Sequence, residues 1–189
     1  MKKLALIAPV LLLSFSGLVN AHGPVRQKTQ EEITINAPAE KVWNIIKSYG
    51  DITWLPPIKN SSITKGTDNT EGAVRVLTLQ DGGTITEELK KYDASKMSYS
   101  YKITDMSTAK TITHAGAEEK VPVVPVDNYS ASIEVDNKGA TSTVIWKAAY
   151  YRAYVNNDPP AEMNEEAANK AIEGIFKTGL ANLKALAEK

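Results

Sequence analysis

The chain has 189 residues, no cysteine, and 22 basic against 22 acidic residues. That length suits one domain with a substantial core. The balanced charge, with no basic cluster, speaks against a nucleic-acid partner, and without cysteine the fold dispenses with disulfides.

Lys2 and Lys3 precede an apolar run from Leu4 to Val10 that continues through Phe15 to Val19. Val19-Asn20-Ala21 places small residues where a signal peptidase reads them. Residues 1–21 are therefore expected to be a cleavable, Sec-type signal peptide, and residues 22–189 a single periplasmic domain beginning at His22. Residues 22–30 read as a loose polar arm. Glu31 to Asn36 alternates, with Ile33 and Ile35 on one side, as a short strand does. Pro38 opens a helix carrying Val42, Ile45, Ile46 and Tyr49, which Gly50 stops. Asp51 to Leu55 is expected to form a second short helix, closed by Pro56-Pro57.

From Ile58 to Tyr154 the period becomes two. Strands are expected at Ile58–Lys65, Ala73–Leu79, Thr84–Tyr92, Ser98–Thr104, Asn128–Asp136 and Thr141–Tyr154, with short turns between them. That pattern is an antiparallel meander. One connection, 105–127, contains Pro122 and Pro125 without a clear period and is expected to be a long loop. Asp158 to Lys189 reads as one amphipathic helix, capped by Asp158 with Pro159 in its first turn. Ala168, Ile172, Phe176, Gly179, Leu180 and Leu183 share its apolar stripe. Only this helix is large enough to cover one face of the sheet.

The hairpin 73–92 carries the sharpest expectation. Leu77 and Leu79 share a face with Arg75, and Ile85 and Leu89 share a face with Glu87. Both apolar sets lie on one side only if the loop has an odd number of residues. A three-residue loop, Asp81-Gly82-Gly83, satisfies this and supplies glycine for positive φ. The register then sets Leu77 opposite Glu87 and Arg75 opposite Leu89, leaving Arg75 and Glu87 as diagonal neighbours about 7–8 Å apart. Such a pair is costly in a solid core and tolerable in a wet or ligand-filled one. Tyr99 and Tyr101 share a strand face, as do Trp146, Tyr150 and Tyr154, and such side chains combine apolar bodies with polar tips. Gly174 and Gly179 each weaken a helix by about 1 kcal/mol relative to Ala and are expected to leave room for a cavity. The candidate ligand-binding residues are Arg75, Glu87, Tyr99, Tyr101, Trp146 and Tyr150. None is assigned a catalytic or metal-binding role.

Two segments near the start, Ala37-Pro38-Ala39-Glu40-Lys41-Val42-Trp43 and Asp51-Ile52-Thr53-Trp54-Leu55-Pro56, resemble the opening of the START-like (SRPBCC) superfamily. Gly72-Ala73-Val74-Arg75, Thr86-Glu87-Glu88-Leu89 and Tyr92-Asp93 extend the match. This superfamily includes polyketide cyclase/dehydrase-like proteins, a birch-pollen allergen and plant abscisic-acid receptors. The resemblance implies an α+β helix-grip fold: a curved seven-stranded antiparallel sheet around a long C-terminal helix, two short helices after the first strand, and an internal cavity. It also implies that the Arg and Glu strands line the pocket and that the hairpin tip edges its mouth. The start His22-Gly23-Pro24 and the run Pro125-Val126-Asp127-Asn128-Tyr129 are similar to MxaD-like periplasmic proteins, associated with methanol oxidation by a quinoprotein dehydrogenase and its cytochrome.

The expected function is a non-catalytic periplasmic module that binds a small apolar ligand or a protein partner, the dehydrogenase or its cytochrome among them. One alternative is a cyclase or dehydratase in which Glu87 or a pocket tyrosine moves a proton. Arg75 opposes that role, and no nucleophile–base constellation accompanies it. A lipid carrier is the other alternative, but the chain has no basic amphipathic surface helix for docking on a membrane. No cofactor is expected. Cleavage before His22 would leave an amine–imidazole pair suited to copper if His114 joined it, and both read as exposed histidines without a ligand role.

Overall fold

The computed structural model describes residues 23–189, so the expected signal peptide and His22 lie outside the described residues. In chain order the elements are β1 (Gln27–Ile35), α1 (Ala39–Ile46), β2 (Ile58–Lys65), β3 (Val74–Leu79), β4 (Thr84–Asp93), β5 (Ser98–Met106), β6 (Thr108–His114), β7 (Ala117–Pro122), β8 (Val126–Lys138), β9 (Thr141–Arg152) and α2 (Glu165–Ala187). Seven strands form one antiparallel sheet in the order β1-β9-β8-β5-β4-β3-β2. The inner face meets α2 along Ala168, Ile172, Phe176, Gly179, Leu180 and Leu183, all buried. This is the helix-grip arrangement. Trp146 on β9 stacks closely on Phe176 of α2, with ring centroids 4.2 Å apart and planes 12° from parallel.

Four expectations change in detail. The first strand begins at Gln27, so only residues 23–26 of the polar arm lack regular structure. One helix, not two, follows β1. Asp51 to Leu55 forms tight turns instead, with Thr53 N–H donating to Asp51 Oδ1 (3.0 Å) and Leu55 N–H to the Ile52 carbonyl (2.9 Å). An Asp side chain that captures the backbone competes with a helix, and Pro56 and Pro57 drive the residues before them out of the helical region.

The long helix starts at Glu165, with Asn164 as N-cap accepting from Ala167 N–H (2.8 Å). Asp158 has φ +57°, left-handed and unlike the extended backbone of an N-cap, and Pro160 after it is extended at φ −63° and ψ 155°, so no helix starts there. Residues 105–127, expected to be a long loop, instead carry the β6–β7 hairpin, closed by Ala115 and Gly116 at φ +48° and +82°. That two-residue turn needs positive φ at both centres. An alanine in the first of them conceals it in the sequence. The hairpin is inserted between β5 and β8, which still pair with each other.

The two helix glycines also differ from expectation. A Cβ on Gly179 would lie 2.6 Å from Leu55 Cδ1 and 2.9 Å from Trp146 Cζ3. The space beside Gly179 is filled by these side chains and belongs to no cavity. Gly174 is exposed, and a Cβ there meets nothing within 4 Å. Gly174→Ala is therefore expected to stabilise the protein by about 1 kcal/mol through helix propensity. Gly179→Ala is expected to destabilise it by about 1–3 kcal/mol through overpacking. Urea unfolding of the two variants measures both signs.

Candidate functional site

A chain of backbone anchors begins just after α1. Asp68 accepts from Ser48 Oγ (2.8 Å) and Gly50 N–H (2.7 Å), and Asn69 Oδ1 accepts from Tyr49 N–H (2.8 Å). These bonds fix residues 48–50 over β3 and hold the Tyr49 carbonyl where Arg75 Nη1 donates to it. On the other side of Arg75, Nε donates to Glu87 Oε2 (2.7 Å), and Nη2 lies 2.6 Å from the same oxygen without the alignment of a hydrogen bond. The guanidinium also stacks 4.1 Å over the Tyr49 ring and 5.2 Å from the Tyr101 ring, which suits a planar cation.

The register differs from the sequence expectation by two residues. Leu79 N–H donates to the Gly83 carbonyl (2.8 Å), closing a loop of Gln80, Asp81 and Gly82, with Gly82 at φ +92°. The loop has three residues, as expected, but sits one position earlier. Asp81 Oδ1 accepts from Gly83 N–H (3.0 Å) and so places the left-handed residue at Gly82. A slip of two preserves every facing direction. Arg75 consequently stands directly opposite Glu87, and Leu77 opposite Ile85.

Arg75 is 0 % exposed and Glu87 5 %. Burial pushes the Glu87 carboxyl up, and Arg75 pulls against that shift. Burial also works to lower Arg75, but the Glu87 carboxylate and the tyrosines beside it hold it above its ordinary value. Losing the Glu87 charge would strand a buried guanidinium, so the pair is ionised at neutral pH. Around it the tyrosines keep their protons. Burial pushes Tyr99 up to about 12 against the pull of Arg75, and raises Tyr101 and Tyr129 further.

Between the inner sheet face and α2 lies a cavity of about 240 Å³. Leu77, Ile85 and Ile58 line it from the sheet, Ile172 and Ile175 from the helix, and Ile52 and Leu55 from the turns. Glu87, Tyr101, Tyr129 and Trp146 supply its polar atoms, and Glu87 is its one charged lining group among the described residues. Pro57, Leu79, Ile103, Val123 and Ile175 line it while keeping partial exposure, which marks the mouth. Gly83 sits against Val123 there, where a Cβ would approach Val123 Cγ1 to 2.6 Å. A larger depression of about 540 Å³ lies on the outer sheet face, bordered by Lys28, Lys90 and Lys147 over serines and alanines. It is the more open of the two, whereas the inner cavity is more enclosed and mostly apolar, of the kind that holds small molecules.

Of the six expected site residues, Glu87, Tyr101 and Trp146 line the cavity. Arg75 lies behind Glu87 and neutralises it. Tyr99 packs away from the cavity among Trp43, Tyr49 and Tyr92. The Tyr150 hydroxyl bonds to Thr29 Oγ1 (2.6 Å) and Asn169 Oδ1 (3.0 Å), a structural tie between β1, β9 and α2. Tyr129, Val123 and Val124 were not expected. Tyr129 shares the inward parity of Ala131 and Ile133 on β8, a signal available in the alternation. His114 Nε2 donates to the Asp158 carbonyl (2.7 Å) and its ring meets Tyr154 edge-on, tying the β6–β7 hairpin to the segment before α2.

The family described as polyketide cyclase / dehydrase and lipid transport matches residues 26–188. Among solved structures, an uncharacterised protein from Bacillus thuringiensis is 26% identical, with a TM-score of 0.67 over 86% of this chain and 100% of the other. The protein XoxI from Bacillus cereus is 28% identical, with a TM-score of 0.65 over 84% of this chain and 94% of the other. A protein from Nitrosospira multiformis, 21% identical with a TM-score of 0.63 over 84% and 94%, shares the fold. Among curated proteins the chain has no match.

The buried pair makes a thermodynamic prediction. Glu87→Leu or Arg75→Met alone is expected to cost about 3–5 kcal/mol by stranding the partner's charge, while the double variant recovers most or all of that loss. A double-mutant cycle in urea that gave additive losses would contradict this account of the site.

Proposed function

The chain belongs to the polyketide cyclase / dehydrase and lipid transport family, and on that premise we propose that it binds a small hydrophobic molecule in the cavity between sheet and α2. The observation that carries this reading is an apolar enclosure of about 240 Å³ whose one charged lining group, Glu87, is neutralised from behind by Arg75. Apolar walls provide the driving force, and the few polar atoms orient what enters. Proton transfer at Glu87 is the second reading, favoured by the upward push of burial on its carboxyl. Arg75 works against it by holding the carboxylate as a fixed acceptor.

The setting we propose is the periplasm, with residues 1–21 as a cleaved signal peptide and 22–189 as the mature domain. Within it the protein serves as an MxaD-like accessory to a quinoprotein methanol dehydrogenase and its cytochrome. The leader of Lys2, Lys3 and the apolar run, and the Pro125–Tyr129 motif, support this setting. No described helix is long and apolar enough to cross a membrane.

Toluene tests the cavity. At ten times its Kd it is expected to stabilise the protein by about 1.4 kcal/mol, roughly 3–5 °C in Tm. Ile175→Trp, at the mouth, is expected to abolish that shift while the apo-protein stays folded. An unmoved Tm with both toluene and phenol on the unaltered chain sinks the ligand-binding reading. For the setting, fractionation of cells expressing the full chain is expected to place it in the periplasm, cleaved before His22. A dehydrogenase or its cytochrome is expected to co-purify with it, and a cytoplasmic, uncleaved chain counts against the proposal.

A further inference from the structure

Arg75 grips one oxygen of Glu87. Its Nε (2.7 Å) and Nη2 (2.6 Å) both converge on Oε2, and no described residue donates to Oε1. Glu87 lines the cavity and keeps 5 % exposure, whereas Arg75 is sealed at 0 %. The unshared oxygen is therefore the part of the pair offered to a ligand. On the same wall, Trp146 Nε1 donates to the Tyr101 hydroxyl oxygen at 3.1 Å. An indole N–H can only donate, so the oxygen of Tyr101 is engaged and its proton is directed to the neighbouring Tyr129 hydroxyl or to a ligand. Tyr129 brings a second protonated hydroxyl. The cavity thus combines one strong acceptor with phenolic donors, inside otherwise apolar walls.

We propose that the ligand is a small, uncharged hydroxyl compound, a phenol or a short alcohol, which donates to Glu87 Oε1 and accepts from a neighbouring tyrosine hydroxyl. This rests on the cavity-binding reading above. A hydroxyl both donates and accepts, so it satisfies both kinds of wall group at once. Charge selects in the same direction. The Arg75–Glu87 pair is already balanced, so a carboxylate or an ammonium would leave one uncompensated charge in an apolar space. A carboxylate would also meet Glu87 with no proton to share. Size sets the last limit. A volume of about 240 Å³ is about eight times the share of one liquid water, which admits a single ring with a short substituent and excludes a long-chain lipid.

Four one-ring compounds separate these ideas: toluene, phenol, benzoate and benzylamine, titrated by calorimetry at pH 7 into the full mature chain. Phenol is expected to bind at least about tenfold more tightly than toluene, as a hydrogen bond to a charged group provides. Benzoate and benzylamine are expected to bind at least tenfold more weakly than phenol. Because Glu87 variants alone strand Arg75, the control is Arg75→Met with Glu87→Leu, in which the preference for phenol over toluene should fall towards one. Phenol binding no better than toluene overturns the hydroxyl proposal and leaves the cavity reading standing. Benzylamine binding most tightly overturns it in favour of a cation. If none of the four binds, the cavity reading fails and the proposal with it.

Discussion

A guanidinium with no access to water cannot be left without a counter-charge, and much of this molecule is arranged around that requirement. The idealised cost of moving such an ion out of water is of order 20 kcal/mol, far above the net stability of a domain. Arg75 meets Glu87 across the β3–β4 ladder, the Tyr49 carbonyl from the segment after α1, and the faces of Tyr49 and Tyr101. The three partner residues, Glu87, Tyr49 and Tyr101, come from three different elements. The pair therefore ties the post-helical turn to three strands, and the turn is itself held by Asp68 and Asn69. Polar networks of this kind are costly when incomplete and confer specificity when complete.

Much of this was readable from residues alone, because two-residue periodicity is a parity rule. Whether Arg75 and Glu87 share a face depends only on the loop having an odd length, and a register error of two leaves that untouched. Direct opposition, in contrast, depends on which glycine takes the left-handed position, and Asp81 decided in favour of Gly82. The helix start was misplaced for a local reason, since consecutive prolines override an otherwise sound cap. The β6–β7 hairpin escaped notice because Ala115 adopts a backbone conformation that alanine seldom takes.

The cavity wall was less accessible to such reasoning. Glu87, Tyr101 and Trp146 lie on strands whose inward face is set by alternation, and these were identified. Tyr99 and Tyr150 obey the same alternation and also point inward, yet neighbours occupy the space before them. Parity gives direction, but the depth of empty space depends on packing between distant elements. Gly179 illustrates the difference: a missing side chain suggested a void, and Leu55 and Trp146 fill it.

The pairing of β1 bears on how the chain reaches this state. β1 has a single ladder partner, β9, and the contact between Thr29 and Tyr150 spans 121 residues of sequence. Lys184 and Glu188, near the very end of α2, close over the same strand through the Thr34 carbonyl and Asn36 N–H. Contacts of such high sequence separation slow folding, because loop closure must be met before they contribute. The first strand to be synthesised is thus the one that waits longest for its place. Until β9 and α2 have emerged, β1 lacks every partner it has in the finished sheet.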